Sequence, residues 1–303
     1  MTVEFEDVWF TYGAVPVAYG AAPTGRGSTP AGGDGASLPA GNGAAGADDN
    51  GDTGAAGGEP QWVLKGVSLR ARPGQTVALV GHTGAGKTTV ITLLLRFYDP
   101  QRGRILLDGV DIRELPLAEL RSRIGYVQQD IFLFAGDVAS NIRLSAPLDD
   151  GAVAAAAARV GADRVIRRLP RGYAHELGER GASISVGERQ LLSFARAIAA
   201  DPDLLLLDEA TSAVDSEIEA EIQAALAVLM QGRTTIAVAH RLSTIMGADE
   251  ILVMHHGEIV ERGTHRDLLA SGALYERLYR LQTGDYTLAG HRGVPLASPG
   301  GGA

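Results

Sequence analysis

Apolar and polar residues alternate along TVEFEDVWFTY (2–12) and again along WVLKGVSLRA (62–71). That period of two predicts half-buried strands. From residue 76 onward, short apolar runs alternate with helix-period stretches. TVALV (76–80), RILLDG (104–109), IGYVQQ (124–129), DLLLLD (203–208), TTIAVAH (234–240) and EILVM (250–254) predict strands. A helix is expected over 88–98, directly after the first of these. EILVM leads into a His256-Gly257 turn and EIVERG, the pattern of a hairpin, and HRDLLASGALYERLYRLQ predicts one amphipathic helix ending near 282. Strands alternating with helices predict an α/β protein built on a parallel sheet.

Two stretches break the pattern. Residues 13–60 are more than half Gly and Ala, with few large side chains. Such a segment cannot bury enough apolar surface to offset its ordering entropy, so a disordered insertion is expected. If the flanking strands pair, the insertion is a long hairpin loop, tolerable because closure cost grows slowly with length. Residues 283–303, rich in Gly and Pro, predict a frayed, disordered tail.

Composition narrows the functional classes. The 303 residues include no Cys, which excludes thiolate chemistry and Cys-based metal sites and fits a reducing, cytoplasmic setting. With 36 Asp+Glu against 27 Lys+Arg the net charge is −9, so no nucleic-acid partner is expected and any phosphate binding must be local. Apolar runs such as VALV (77–80) and LLLL (204–207) fall far short of a membrane span, and the first residues lack signal-peptide character. A soluble chain is expected.

Gly81-His-Thr-Gly-Ala-Gly86-Lys87-Thr88 matches G-x-x-x-x-G-K-[ST] between a predicted strand and a predicted helix. Backbone N–H groups of Gly81, His82, Thr83, Gly84, Ala85, Gly86, Lys87, Thr88 and Thr89 would cradle phosphates, with Lys87 reaching the outer ones and Thr88 supplying a Mg2+ ligand. Downstream, LLLLDEATS (204–212) sets Asp208 at the carboxyl end of an apolar strand, where ligands of parallel sheets gather. Asp208 can hold Mg2+ or its waters, and Glu209 can polarise an attacking water. His240 stands at another strand's carboxyl end, able to donate to phosphate oxygen. ISVGERQ (184–190) opens an apolar helix and offers a second anion-seeking helix start.

GHTGAGKTT, YVQQD, ISVGERQ, LLLLDEATSAVD and AVAHR stand in the order shown by nucleotide-binding domains of ABC transporters, and the chain resembles them over about 2–12 and 62–282. The resemblance implies a P-loop NTPase fold with a RecA-like core, an antiparallel β subdomain and an inserted helical signature subdomain at approximately 130–200, the whole forming an ATP-binding domain over 1–282. It implies ATP and Mg2+ as ligands, Gly81 to Thr89 as the Walker A loop, Leu204 to Asp208 as Walker B, and Glu209 as catalytic glutamate. Gln129, preferred to Gln128 for its spacing to the following Leu-Phe pair, would touch Mg2+ or the lytic water. Ser185, Val186, Gly187 and Glu188 would form the signature that covers the ATP of a partner chain, Asp215 the D-loop aspartate, and His240 the contact to the γ-phosphate. Tyr12 is the candidate for stacking on adenine, with Tyr19 and Trp62 as alternatives. Val186 and Glu188 depart from the commoner Gly and Gln of the signature, and Glu188 is expected to point away from ATP.

LGERGASIS (177–185) and FLFAGDVASNI resemble the exporter type. That implies a second cassette, identical or not, a transmembrane domain supplied by another chain or a longer gene, and a place on the cytoplasmic face of the cell membrane. A soluble non-transport ABC ATPase is the alternative, and a P-loop small-molecule kinase a third. The kinase accounts poorly for ISVGERQ.

Overall fold

In the computed structural model, which describes residues 1–13, 61–144, 146–178, 184–208, 216–239 and 242–283, the period-two segments pair as their apolar faces demand. Val3, Phe5, Val8 and Phe10 of β1 (Val3–Phe10) are buried, as are Leu64, Val67, Leu69 and Ala71 of β2 (Leu64–Ala71). A register shift between Phe5 and Val8 keeps both facing inward. The two strands run antiparallel, so the Gly/Ala-rich run connects hydrogen-bonded neighbours. Its residues 14–60 lie outside the described residues. With β4 (Arg102–Leu107) and β5 (Val110–Asp111) they form a sheet in the order β2-β1-β4-β5; β3 is Thr76–Val80 of the second sheet. The strand expected over 104–109 ends instead at Leu107. Asp108 (φ 49°) and Gly109 (φ 83°) are the positive-φ pair of a tight hairpin turn into β5.

β3, β6 (Ile124–Val127), β9 (Leu204–Asp208), β10 (Thr234–Val238), β11 (Glu250–His255) and β12 (Glu258–Gly263) make the second sheet, in the order β12-β11-β3-β10-β9-β6. Its strands are parallel except for the antiparallel β11–β12 hairpin. The continuous apolar runs are explained by burial on both faces. Val77, Leu79, Leu204, Leu206, Ile236 and Val238 pack toward the antiparallel sheet and α1 (Lys87–Leu94). Leu205, Leu207 and Ala237 face a layer of helices, and Ala78, Val80, Ile251 and Val253 face the last helices of the chain. Truncating one of these leucines to Ala costs about 2–5 kcal/mol.

The helix expected over 88–98 stops at Leu94. Arg96 adopts φ 51°, and its guanidinium donates to the Ile112 and Leu115 carbonyls at 3.1 and 2.9 Å, which fixes the turn. α2 (Leu117–Ser122), only six residues long, carries too little periodicity to be read in the sequence. The helical stretch expected at about 130–200 holds α3 (Val138–Arg143), α4 (Asp150–Arg159), α5 (Ala162–Arg168) and α6 (Val186–Ile198). It also holds a strand pair, β7 (Gly136–Asp137) with β8 (Glu176–Leu177), too short to show alternation. α7 (Ser216–Met230) and α8 (Leu242–Met246) follow β9 and β10. The single helix expected to end near 282 is two, α9 (His265–Ser271) and α10 (Leu274–Thr283), broken at Gly272 in the left-handed conformation (φ 67°). The tail from 284 lies outside the described residues.

Candidate functional site

Four neighbouring parallel strands, β3, β10, β9 and β6, end level with one another. Val238 is in register with both Leu79 and Asp208, and Val127 with Leu207. Their carboxyl ends therefore deliver the phosphate loop, Ala239, Asp208 and Gln128-Gln129 to one edge of the sheet. His240 and Glu209, the next residues after Ala239 and Asp208, lie outside the described residues, as do Asp215 and Tyr19.

The phosphate loop runs from Gly81 to Gly86 into α1. Ala85 N–H donates to the His82 carbonyl at 3.1 Å, and Lys87 Nζ donates to the carbonyls of Gly81 (2.8 Å) and His82 (2.9 Å). The ammonium thus closes over its own loop, with one of its three donors left for a phosphate. Lys87 is buried, and burial holds its pKa below 10.5 against the opposing pull of Asp208. His82, Thr83 and Gly84 are exposed at the rim. Gly86 (φ 101°) caps α1 without any side-chain hydrogen bond, and no acidic residue sits in the helix's first turn. The first N–H groups and the positive end of the dipole remain open to an anion.

Thr88 Oγ1 donates to Asp208 Oδ1 at 3.5 Å, so one hydroxyl and one carboxylate face each other across the strand ends. Among the described residues no three His, Asp or Glu side chains gather into a metal cluster. One carboxylate and one hydroxyl, both hard oxygen donors, fit Mg2+, which takes few protein ligands when phosphates and waters complete its shell. Tyr126 of β6 was not anticipated here. Its phenol is pushed up to about 12, first by burial and then by the charge of Asp208. It stands one strand away from that carboxylate; it opens the YVQQD run, but nothing in that run marks it as a neighbour of Asp208.

Tyr12 follows β1 and lies beside α1. Its hydroxyl is 3.1 Å from Thr89 Oγ1, and its ring packs edge-on to Phe10 and Tyr98 while remaining 48% exposed. An aromatic tethered to the phosphate-loop helix with its ring half open can stack on a base. Trp62 is committed elsewhere, edge-on to Trp9 with the Arg102 guanidinium 5.2 Å above it. Thr89 itself is buried, its hydroxyl engaged by Tyr12 rather than facing the loop.

Gln128 and Gln129 are both exposed just beyond β6. The segment after them is stapled to the helical layer. Asn141 accepts from Phe134 N–H at 2.8 Å and donates to its carbonyl at 2.9 Å, while Arg196 of α6 donates to the carbonyls of Phe132 and Asn141, each at 2.8 Å. Burial pushes the Arg196 guanidinium down to about 10, still a cation at neutral pH, and the carbonyl oxygens around it do the work a counter-ion would. The staple leaves the Phe132 and Phe134 rings 46% and 50% exposed.

α6 begins at the second anion-seeking turn. Ser185 is its N-cap: Oγ accepts from Glu188 N–H at 3.2 Å, and Glu188 Oε2 accepts from Ser185 N–H at 2.9 Å. This is a complete capping box. Glu188 therefore folds back over its own helix start. Val186 is exposed and Gly187 buried.

Residues 64–212 match the family model described as ABC transporter. The chain is 52% identical over 222 residues to a Streptococcus pneumoniae chain named as ABC transporter ATP-binding protein exp8, covering 73% of this chain and 38% of that one. It is 52% identical over 221 residues to a fatty acid ABC transporter ATP-binding/permease protein of Mycobacterium bovis, covering 72% and 35%. A solved structure of a bacterial Atm1-family ABC exporter with ATP bound is similar at a TM-score of 0.71 and 36% identity, over 93% of this chain and 41% of that one. The chain thus spans about two fifths or less of the length of these relatives.

Proposed function

From the premise that this chain belongs to the ABC transporter family through its ATP-binding domain, we propose that it is the ATP-hydrolysing motor of an ABC exporter, acting on the cytoplasmic face of a membrane through a membrane domain. The observation that carries this is the level ending of four adjacent parallel strands, which brings the phosphate loop and Asp208 to one edge. No described helix is long and apolar enough to cross a membrane. A relative named as ATP-binding/permease and a neighbour titled as an exporter favour this reading over a soluble ATPase. So does the exposed Phe132–Phe134 pair, rings 5.0 Å apart, standing just after Gln129 as an apolar contact for a partner.

Phosphoryl transfer requires positioning and charge neutralisation more than covalent help. The N–H groups of 84–88 and Lys87 hold the β- and γ-phosphates, and Tyr12 stacks on the adenine. Thr88, Asp208 and Gln129 would hold Mg2+, which would supply charge neutralisation on the phosphate oxygens. Glu209 orients a water and takes up its proton. The water oxygen bonds to the γ-phosphorus as the bond to the β–γ bridging oxygen breaks, giving ADP and inorganic phosphate. His240 donates to the γ-phosphate, and Asp215 serves as the D-loop aspartate.

Two anion-seeking helix starts per chain, with one metal and glutamate set, favour a head-to-tail pair of cassettes. Each ATP is held by Lys87 of one and by Ser185 to Gly187 of the other. Closure on ATP and opening after hydrolysis form a ligand-biased two-state switch. A Glu209→Gln variant should bind MgATP, turn it over poorly and elute as a dimer in size exclusion. A monomer at saturating MgATP would overturn the paired arrangement.

A further inference from the structure

The β11–β12 hairpin turn lies beneath the phosphate loop. Gly257 N–H donates to the Ala85 carbonyl at 3.2 Å, and Lys65 N–H donates to the Gly257 carbonyl at 2.9 Å. Three segments far apart in sequence, at 63–65, 81–86 and 254–257, are thereby tied backbone to backbone. They approach too closely for side chains. A Cβ on Gly81 would stand 2.3 Å from the Met254 carbonyl oxygen, one on Gly86 would stand 2.6 Å from Leu64 Cδ2, and one on Gly257 would stand 2.4 Å from the Val63 carbonyl oxygen. Gly81 and Gly86 belong to the phosphate motif; Gly257, at φ 86°, does not.

We propose that the His255–Gly257 turn is a positioning element of the phosphate loop, with Gly257 its essential residue. A loop that binds anions through N–H groups must turn its carbonyls elsewhere. The turn does this for Ala85. Gly257 N–H takes the carbonyl of the residue before Gly86 and holds it toward the protein interior, so the amides that follow face outward at the start of α1. His256 (φ 48°) and Gly257 occupy the two positive-φ places of the hairpin turn, and the pairing of His255 with Glu258 fixes where that N–H points. Any side chain at 257 must push the turn off Val63 and draw the donor away from Ala85.

The proposal rests on the ATP-binding reading, and one experiment separates the two. Hydrogen exchange on the unmodified chain, with and without ATP, should show added protection at the loop amides and also at Gly257 and Lys65. Gly272 N–H, bonded to Leu269 in a remote helix cap, should not change. If the loop gained protection while Gly257 and Lys65 did not, the brace is wrong and ATP binding stands. If the loop itself gained none, the ATP-binding reading fails. Among variants, Gly257→Ala should weaken binding of a fluorescent ATP analogue about tenfold, the effect expected when one loop amide loses its hydrogen bond to a charged phosphate oxygen. Gly272→Ala, also at positive φ but with no neighbour closer than 3.7 Å to its new Cβ, should lower Tm and leave ATP affinity alone. Equal affinities in the two variants would overturn the proposal.

Discussion

Two helices of this chain begin in polar turns that invite an anion, and they begin differently. α1 starts at Gly86 with no side-chain cap and no acid in its first turn. α6 starts at Ser185 with a reciprocal capping box and Glu188 folded over its end. Helix starts leave N–H groups unsatisfied, and those groups must find partners. At α1 the partner is left to a ligand, and the lysine that will meet it is parked on the loop's own carbonyls. At α6 the chain supplies its own anion. An open start makes a site within one molecule; a self-capped start makes a surface that binds anions only when a second one displaces or joins the first.

The largest test breaks the open end. Lys87→Ala removes the charged donor from a buried position, and the lost charge-assisted contacts, each about 1.5–3 kcal/mol, should weaken ATP binding about a hundredfold. A fluorescent-ATP titration gives the answer, and unchanged affinity would refute the loop assignment.

Next in size is alkaline pH. Burial lowers the Lys87 pKa from 10.5 in the folded, nucleotide-free chain. Only the ammonium pairs with phosphate, so affinity is full below that lowered pKa and falls as pH rises through it. Folding runs the other way, because the unfolded chain holds this proton more tightly. The cost to stability is present below the lowered pKa and is relieved as pH rises toward 10.5. Lys87→Arg, charged throughout, should bind ATP more weakly at neutral pH yet lose no affinity over the alkaline range. A matching decline in that variant would assign the effect to another group.

The comparison also marks what a sequence reveals. The phosphate loop was legible because glycine spacing, lysine and flanking periodicity lie within one short run. Asp208 was legible because an apolar strand ends on it. The hairpin through His256 and Gly257 was legible as a turn, but its grip on Ala85 was not. Backbone approach between segments about 170 residues apart leaves no local pattern. The same holds for Arg196 reaching Phe132 and for Tyr126 beside Asp208, which depend on strand register and helix packing. Where local signals compete, length misleads. The amphipathic stripe of 265–282 runs through Gly272, and only the left-handed backbone there shows two helices.

At the self-capped end, Ser185→Ala removes the cap and should cost about 1 kcal/mol, a fall of roughly 2–4 °C in Tm. It should also weaken dimer formation in a Glu209→Gln background, because the Ser185 hydroxyl, an acceptor in the cap, still has its proton to give to a partner's phosphate. A normal Tm would mean that the box contributes nothing to α6.

Glu188→Gln is the smallest change and the sharpest. Glutamine can keep the reciprocal geometry of the box, since its carbonyl oxygen can accept from Ser185 N–H as the carboxylate does. What it removes is a negative charge over a helix start, worth about 0.3–1 kcal/mol to the helix. That same charge opposes the phosphates of an arriving nucleotide. If the carboxylate stays on its cap when the cassettes close, removing it should lower the ATP concentration for half-dimerisation by about two- to fivefold, with Tm lowered by no more than about 4 °C. If instead it swings away on closure, the variant should dimerise like its parent, because the repulsion is relieved by movement. Size exclusion across an ATP series, both proteins carrying Glu209→Gln, distinguishes them. A shift toward higher ATP would mean that the carboxylate helps the paired state, and the contrast between an open and a self-occupied helix start would lose its functional meaning.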